Sequence, residues 1–184
     1  MNTFAYCCES FRVSTERAAG VRPLTSPPAS AGDFDTGLLE GRDLLYFDLH
    51  GQPGASWWIG DRGLIALTAG QFGEVNLGHA VVFAVSCYLA DQDSPMLTAL
   101  LDAGARYVIG GPGENWGGGK TLMGAALLGL QFRRLLERDY DPLIALAVAK
   151  RWLQLGIVAN QVMGKGRKAA AGKDALRFKA FYRK

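Results

Sequence analysis

The sequence is short of the residues that build metal clusters and disulfide frameworks. Its 184 residues hold three cysteines, Cys7, Cys8 and Cys87, and two histidines, His50 and His79. No Cys/His group has the close spacing of a structural zinc site. An odd cysteine count without a secretory leader argues against a disulfide scaffold. Long apolar runs are lacking as well, none approaching the roughly 20 residues of a membrane span. The start, MNTFAYCCESFRVSTER, lacks the basic-then-apolar order of a secretory signal. The cytoplasm is therefore the expected compartment, and no membrane partner, metal or other cofactor is expected. A large excess of one charge is missing too, the net value being +3. That charge is unevenly spread: from Lys165 to Lys184 there are eight Lys or Arg and one acid, Asp174. This segment reads first as a solvated terminus, and contact with nucleic acid or acidic lipid is the weaker reading.

What is present suits a single globular domain, with 49% hydrophobic and 20% charged residues. Asp43–Leu49 (DLLYFDL), His79–Cys87 (HAVVFAVSC) and Ala105–Gly111 (ARYVIGG) are short apolar runs rich in aromatic or β-branched residues, and read as buried strands. Nearly continuous apolar strands point to a parallel sheet covered on both faces. TFAYCCESF is a further strand candidate, and ALRFKAFYRK a late edge strand. SPMLTALLDAG has Ser as cap, Pro at the first helical position and Gly as stop, and Asp141 to Gly156 repeats the pattern with an Asp cap. Between them KTLMGAALLGLQFRRLLER reads as a buried helix. RPLTSPPASAGDFDTG, rich in Pro, Ser and Gly, reads as a loop. Strand–helix alternation of this kind implies an open α/β sheet.

IGGPGENWGGGKTLMG, from Ile109 to Gly124, ends in the Gly-Lys-Thr of a phosphate loop. The pattern requires a glycine five places before that Gly. Glu114 stands there, and Gly113 is one place too early. A carboxylate aimed at phosphates opposes the backbone N–H cradle on which such loops depend. Nucleotide binding through Gly113–Thr121 and Lys120 is thus a minor alternative, and a substrate-binding loop fits better.

Open α/β sheets place their sites beyond the carboxyl ends of the strands. His50 follows one strand and Cys87 ends another. If the two strands are parallel neighbours, both side chains meet on one edge of the sheet. A thiol is only a few per cent thiolate at neutral pH, and a facing imidazole can take its proton or hold it as an ion pair. Gly51, without a side chain, lets its N–H approach a substrate carbonyl, and with the N–H of Cys87 it can hold an oxyanion. His79 starts its strand and falls on the opposite edge. Cys7 and Cys8 are small thiols of a kind often simply buried. The bland reading, a core cysteine and a loop histidine, stays open on spacing alone.

LYFDLHG, then VVFAVSCYLAD, then LDAGARYVIGG resemble, in this order, the His-Gly, Ser-Cys and following segments of caspase-like (clan CD) cysteine peptidases. The CHAT-domain and gingipain-like branches are most similar, and the resemblance spans Asp43 to Leu155. It implies a caspase-haemoglobinase-like α/β fold, an open, mostly parallel sheet with helices on both faces. It divides the chain into residues 1–42, an N-terminal strand and loop, 43–160, the core, and 161–184, the basic segment. By resemblance His50 is the general base and Cys87 the nucleophile of an endopeptidase, with Gly51 and Cys87 as oxyanion donors and no cofactor. The substrate is a protein or peptide, and an activating partner or larger complex is compatible with it. The loop after YVIGG would build the pocket before the cut, with Glu114, Asn115 and Trp116. Glu114, or its rivals Asp48 and Asp91, would favour a basic residue there. The N-terminal part is short for this fold, so the usual strand–helix–strand unit must fit into about forty residues. The rival readings are an inactive interaction module of the same fold, a nucleotide-binding protein, and another cysteine hydrolase such as an amidase.

Overall fold

Aromatic and β-branched runs form the strands, and Pro- or Asp-started runs the helices. The computed structural model describes residues 1–162 and 172–182, so part of the basic segment, residues 163–171 and 183–184, lies outside the described residues. In chain order the elements are β1 (Thr3–Cys8), α1 (Arg12–Ala19), β2 (Leu24–Ser26), β3 (Leu44–Asp48), β4 (Trp57–Ile59), β5 (Ile65–Thr68), β6 (Val81–Ala84), α2 (Pro95–Asp102), β7 (Tyr107–Gly110), α3 (Gly124–Leu136), α4 (Pro142–Val162) and β8 (Lys179–Phe181). One sheet has six strands in the order β2-β1-β3-β6-β7-β8. Its pairings are parallel except that of β8, which runs antiparallel along the β7 edge. The architecture is α/β with a mostly parallel, mixed sheet. A strand–helix–strand unit does fit into the first 26 residues, and β1 lies inside the sheet between β2 and β3.

Each strand divides its side chains between two cores, because successive residues point to opposite faces. Leu44, Tyr46, Phe83 and Ile109 face α1, α3 and α4. Leu45, Phe47, Val82 and Val108 face α2 and the β4–β5 hairpin. Five of these eight are aliphatic and three aromatic, and all eight are fully buried. Helices therefore cover both faces, as the apolar strands predict.

Several boundaries shift from those expected. Ser94 caps α2 by accepting from the Leu97 N–H at 3.3 Å, as its position predicts. Gly156 does not stop α4, which runs on to Val162. An exposed glycine costs a helix about 1 kcal/mol, too little by itself to end one that Leu153, Gln154 and Leu155 favour on its N-terminal side. The third helix begins at Gly124 rather than Lys120, since residues 111–123 form a loop. Helix α1 is new to the reading, because its buried face is Ser14, Thr15, Ala18 and Ala19 and carries little apolar signal. The β4–β5 hairpin was also not expected. Within it Trp58 is buried against Phe47, ring centroids 5.1 Å apart, while Trp57 is part-exposed.

Gly129 shows why α3 can lie so close to the sheet. A Cβ there would stand 2.7 Å from the Tyr46 ring and 2.9 Å from that of Phe83. Gly129→Val is expected to destabilise the fold by about 3 kcal/mol, since a packed aromatic layer cannot yield to added methyl groups. A chemical denaturation midpoint equal to that of the wild type would disprove this packing.

Candidate active site

Strands β3 and β6 are hydrogen-bonded parallel neighbours, with Phe47 opposite Ala84. The pairing continues past the strand ends: the Val85 N–H donates to the Phe47 carbonyl at 2.8 Å, and the Leu49 N–H to Ser86 Oγ at 3.3 Å. His50-Gly51 and Cys87 therefore leave the sheet side by side. A Cβ on Gly51 would overlap the carbonyl of Cys87 and stand 3.1 Å from its nitrogen, so only glycine allows this approach. The N–H groups of Gly51 and Cys87 donate to no other described residue. Two free amides at adjoining strand ends are what an oxyanion needs.

These residues open on a cavity of about 720 Å³. Its lining holds every site residue expected from the sequence: His50, Gly51, Cys87, Glu114, Asn115, Trp116 and Asp48. Asp91 is not in that lining; its carboxylate accepts from the Gly113 N–H at 2.8 Å and anchors the loop. His79 sits in a separate cavity at the other end of the strands.

The Cys87 thiol is half-buried, with its sulfur against the backbone of Asn115. Sγ accepts from the Asn115 N–H at 3.3 Å and lies 3.6 Å from the Asn115 carbonyl. Burial pushes the thiol pKa up, the Asn115 N–H partly opposes this, and the Glu114 and Asp48 carboxylates add to it. The resting sulfur thus keeps its proton, so a base is needed rather than a ready-made thiolate. Asn115 also donates its side-chain NH₂ to the Ser86 carbonyl at 3.2 Å. It holds the segment that carries Cys87 in place.

His50 is fixed by the hairpin that follows it. Its N–H donates to the Ile59 carbonyl at 2.8 Å, and its carbonyl accepts from the Ile59 N–H at 2.9 Å. The Phe11 ring meets the imidazole edge-on at 5.2 Å. Asp61, two residues past Ile59, brings Oδ1 to 4.0 Å from His50 Nε2. Asp61 is itself held by Ser10, whose N–H and Oγ donate at 2.7 and 2.8 Å. The sequence carries no signal for this residue, because its place depends on the hairpin turning back.

Asp48 and the loop acids differ sharply. Glu114 and Trp116 are exposed, whereas Asp48 is 3% exposed. Among the described residues one hydrogen bond serves the Asp48 carboxylate, from Thr15 Oγ1 at 2.9 Å. Burial raises its pKa to about 7, the Thr15 hydroxyl opposing the shift. Gly117 covers it closely, a Cβ there falling 3.6 Å from Asp48 Oδ2 and 3.2 Å from Val85.

The glycine loop leans on α1 rather than opening as a phosphate cradle. Its carbonyls face that helix: Ser14 Oγ donates to Gly118, and the Ser14 N–H to Gly119 at 3.1 Å. Lys120 is exposed and does not line the cavity. No protein-family model matches this chain, and no curated protein matches it either.

Proposed function

We propose that the chain is a cysteine endopeptidase of the caspase-like type, cutting after a basic residue. The observation that carries this reading is the pairing of β3 with β6, which brings His50, Gly51 and Cys87 to one cavity mouth with two amides free. The mostly parallel sheet with helices on both faces is compatible with the fold the resemblance implies.

In this reaction His50 takes the Cys87 proton as the sulfur attacks the scissile carbonyl carbon. The carbonyl π pair moves to oxygen, where the Gly51 and Cys87 N–H groups stabilise it. Collapse breaks the C–N bond, and His50 gives its proton to the leaving amine. A water deprotonated by His50 then attacks the thioester, and the thiol departs with its proton restored. Asp48 supplies the negative charge of the specificity pocket. It is buried and has one hydrogen-bond donor among the described residues, so an arginine or lysine head satisfies it. Exposed Trp116 and Glu114 at the rim are placed to contact the same side chain's stem and charge.

Intact-mass labelling with peptidyl acyloxymethyl ketones ending in Arg, Lys, Asp or Leu tests the proposal. The expected outcome is one adduct, on Cys87, forming fastest with the Arg or Lys reagent. An unlabelled Cys87 that still reacts with iodoacetamide would instead favour a non-catalytic interaction module.

A further inference from the structure

Cys8 lies beside the imidazole, although the strand that carries it is remote in sequence from His50. Cys8 Sγ, a His50 ring nitrogen and an Asp61 carboxylate oxygen all lie within 4.8 Å of one another. We propose that Cys8, His50 and Asp61 form a binding site for a divalent ion of the zinc class, and that its occupancy withdraws His50 from Cys87. The second half rests on the peptidase reading above; the first does not.

The donor set selects the ion. A thiolate, an imidazole and a carboxylate are the sulfur, nitrogen and oxygen donors that zinc accepts, at about 2.3, 2.0 and 2.1 Å. Calcium and magnesium require oxygen donors and would leave the sulfur unused. Tetrahedral ligands stand roughly 3.3–3.7 Å apart at those bond lengths. The observed 4.0 Å between His50 Nε2 and Asp61 Oδ1 therefore closes by small side-chain rotations. The half-exposed imidazole can make that rotation, and its exposed side leaves a fourth position for water.

The surroundings support the ligands. Ser10 donates two hydrogen bonds to the Asp61 carboxylate and orients it, the arrangement by which neighbouring groups stiffen a metal ligand. Cys8 Sγ contacts the Ile59 carbonyl at 3.5 Å, and that carbonyl also receives the His50 N–H at 2.8 Å. Loss of the thiol proton on binding thus strands no acceptor. The ion's two positive charges are balanced by one thiolate and one carboxylate, so the filled site is neutral, as a partly buried one must be. With its Nε2 lone pair on the ion, the imidazole carries its proton on Nδ1 and can no longer take one from Cys87.

Cobalt titration of the full chain tests this without any need for activity. Co²⁺ is expected to produce a sulfur-to-cobalt charge-transfer band in the near ultraviolet. The band should persist in Cys87→Ser, vanish in Cys8→Ser, and need at least about tenfold more metal in Asp61→Asn. Because Cys8 is fully buried, Asp61→Asn, on a partly exposed turn, is the variant to rely on if Cys8→Ser fails to fold. Equimolar Zn²⁺ should abolish the band and slow ketone labelling of Cys87 at least about tenfold, and a chelator should restore it. Absence of a band, or one that needs Cys87 rather than Cys8, overturns the site. Zinc binding that leaves labelling unslowed overturns the inhibition. A protein that labels on Cys87 but shows no band refutes the ion site and leaves the peptidase reading standing. A Cys8-dependent band in a protein that never labels does the reverse.

Discussion

Replacing His50 by Ala is expected to slow ketone labelling of Cys87 by about a thousandfold at neutral pH, since a positioned base contributes roughly 10²–10⁴. The size of the effect follows from the resting state of the thiol. Burial and the nearby Glu114 and Asp48 carboxylates raise its pKa, so hardly any thiolate exists without a base. The imidazole is half exposed, and its removal opens no cavity in either core. Circular dichroism and the thermal midpoint should therefore match the wild type. Raising the pH should recover alkylation of the variant by iodoacetamide, because hydroxide then removes the proton that His50 would have taken. Unchanged labelling of His50→Ala at neutral pH would mean that Cys87 reacts as an ordinary thiol, and the dyad would have to be abandoned.

The second large effect is expected at Asp48. Asp48→Asn should cost about a hundredfold in the preference for Arg over Leu reagents, because truncating one partner of a buried charge pair costs about 2–5 kcal/mol. The Asn oxygen can still accept from Thr15, so the variant keeps the hydrogen bond of the unliganded protein. It should also be more stable than the wild type at alkaline pH. The folded carboxyl has a pKa raised to about 7 by burial. Between the ordinary carboxylate range and pH 7 the native state holds a proton that the unfolded chain has released. Wild-type stability therefore falls as pH rises through that window, and the loss is complete above pH 7. Asparagine has no proton to lose. Thermal melts should show the variant about 5 °C higher at pH 8 and closely matched at pH 4. Lost selectivity with a pH-independent stability gap would mean that Asp48 shapes the pocket without supplying its charge. Retained Arg preference would move the recognition to Glu114.

The three buried strands and the two helices with Ser or Asp caps were legible because local composition decides them. Apolar, β-branched and aromatic runs such as VVFA have one stable use, in the middle of a covered sheet. The Ser94-Pro95 start of α2 satisfies its end group within four residues. His50, Gly51 and Cys87 were legible for the same reason, since the carboxyl end of a parallel strand is a place that the strand itself defines. Helix α1 escaped the reading because it buries Ser, Thr and Ala, and β2 because three residues between Pro23 and Pro27-Pro28 make no periodic signal.

By itself, then, the sequence determined the α/β class, the positions of the central strands and the places of His50 and Cys87 at strand ends, since each depends on residues close together in the chain. Tertiary structure alone decided which acid is buried beneath the cavity and which one reaches His50. Asp48 becomes the buried floor of the cavity only because α1 brings Thr15 over it and the glycine loop closes with Gly117. Asp61 reaches His50 only because β4 pairs back onto it. Cys8 joins them only because the sheet sets β1 directly beside β3. Contacts between residues from different elements depend on strand order and chain return, which no local pattern of residues encodes.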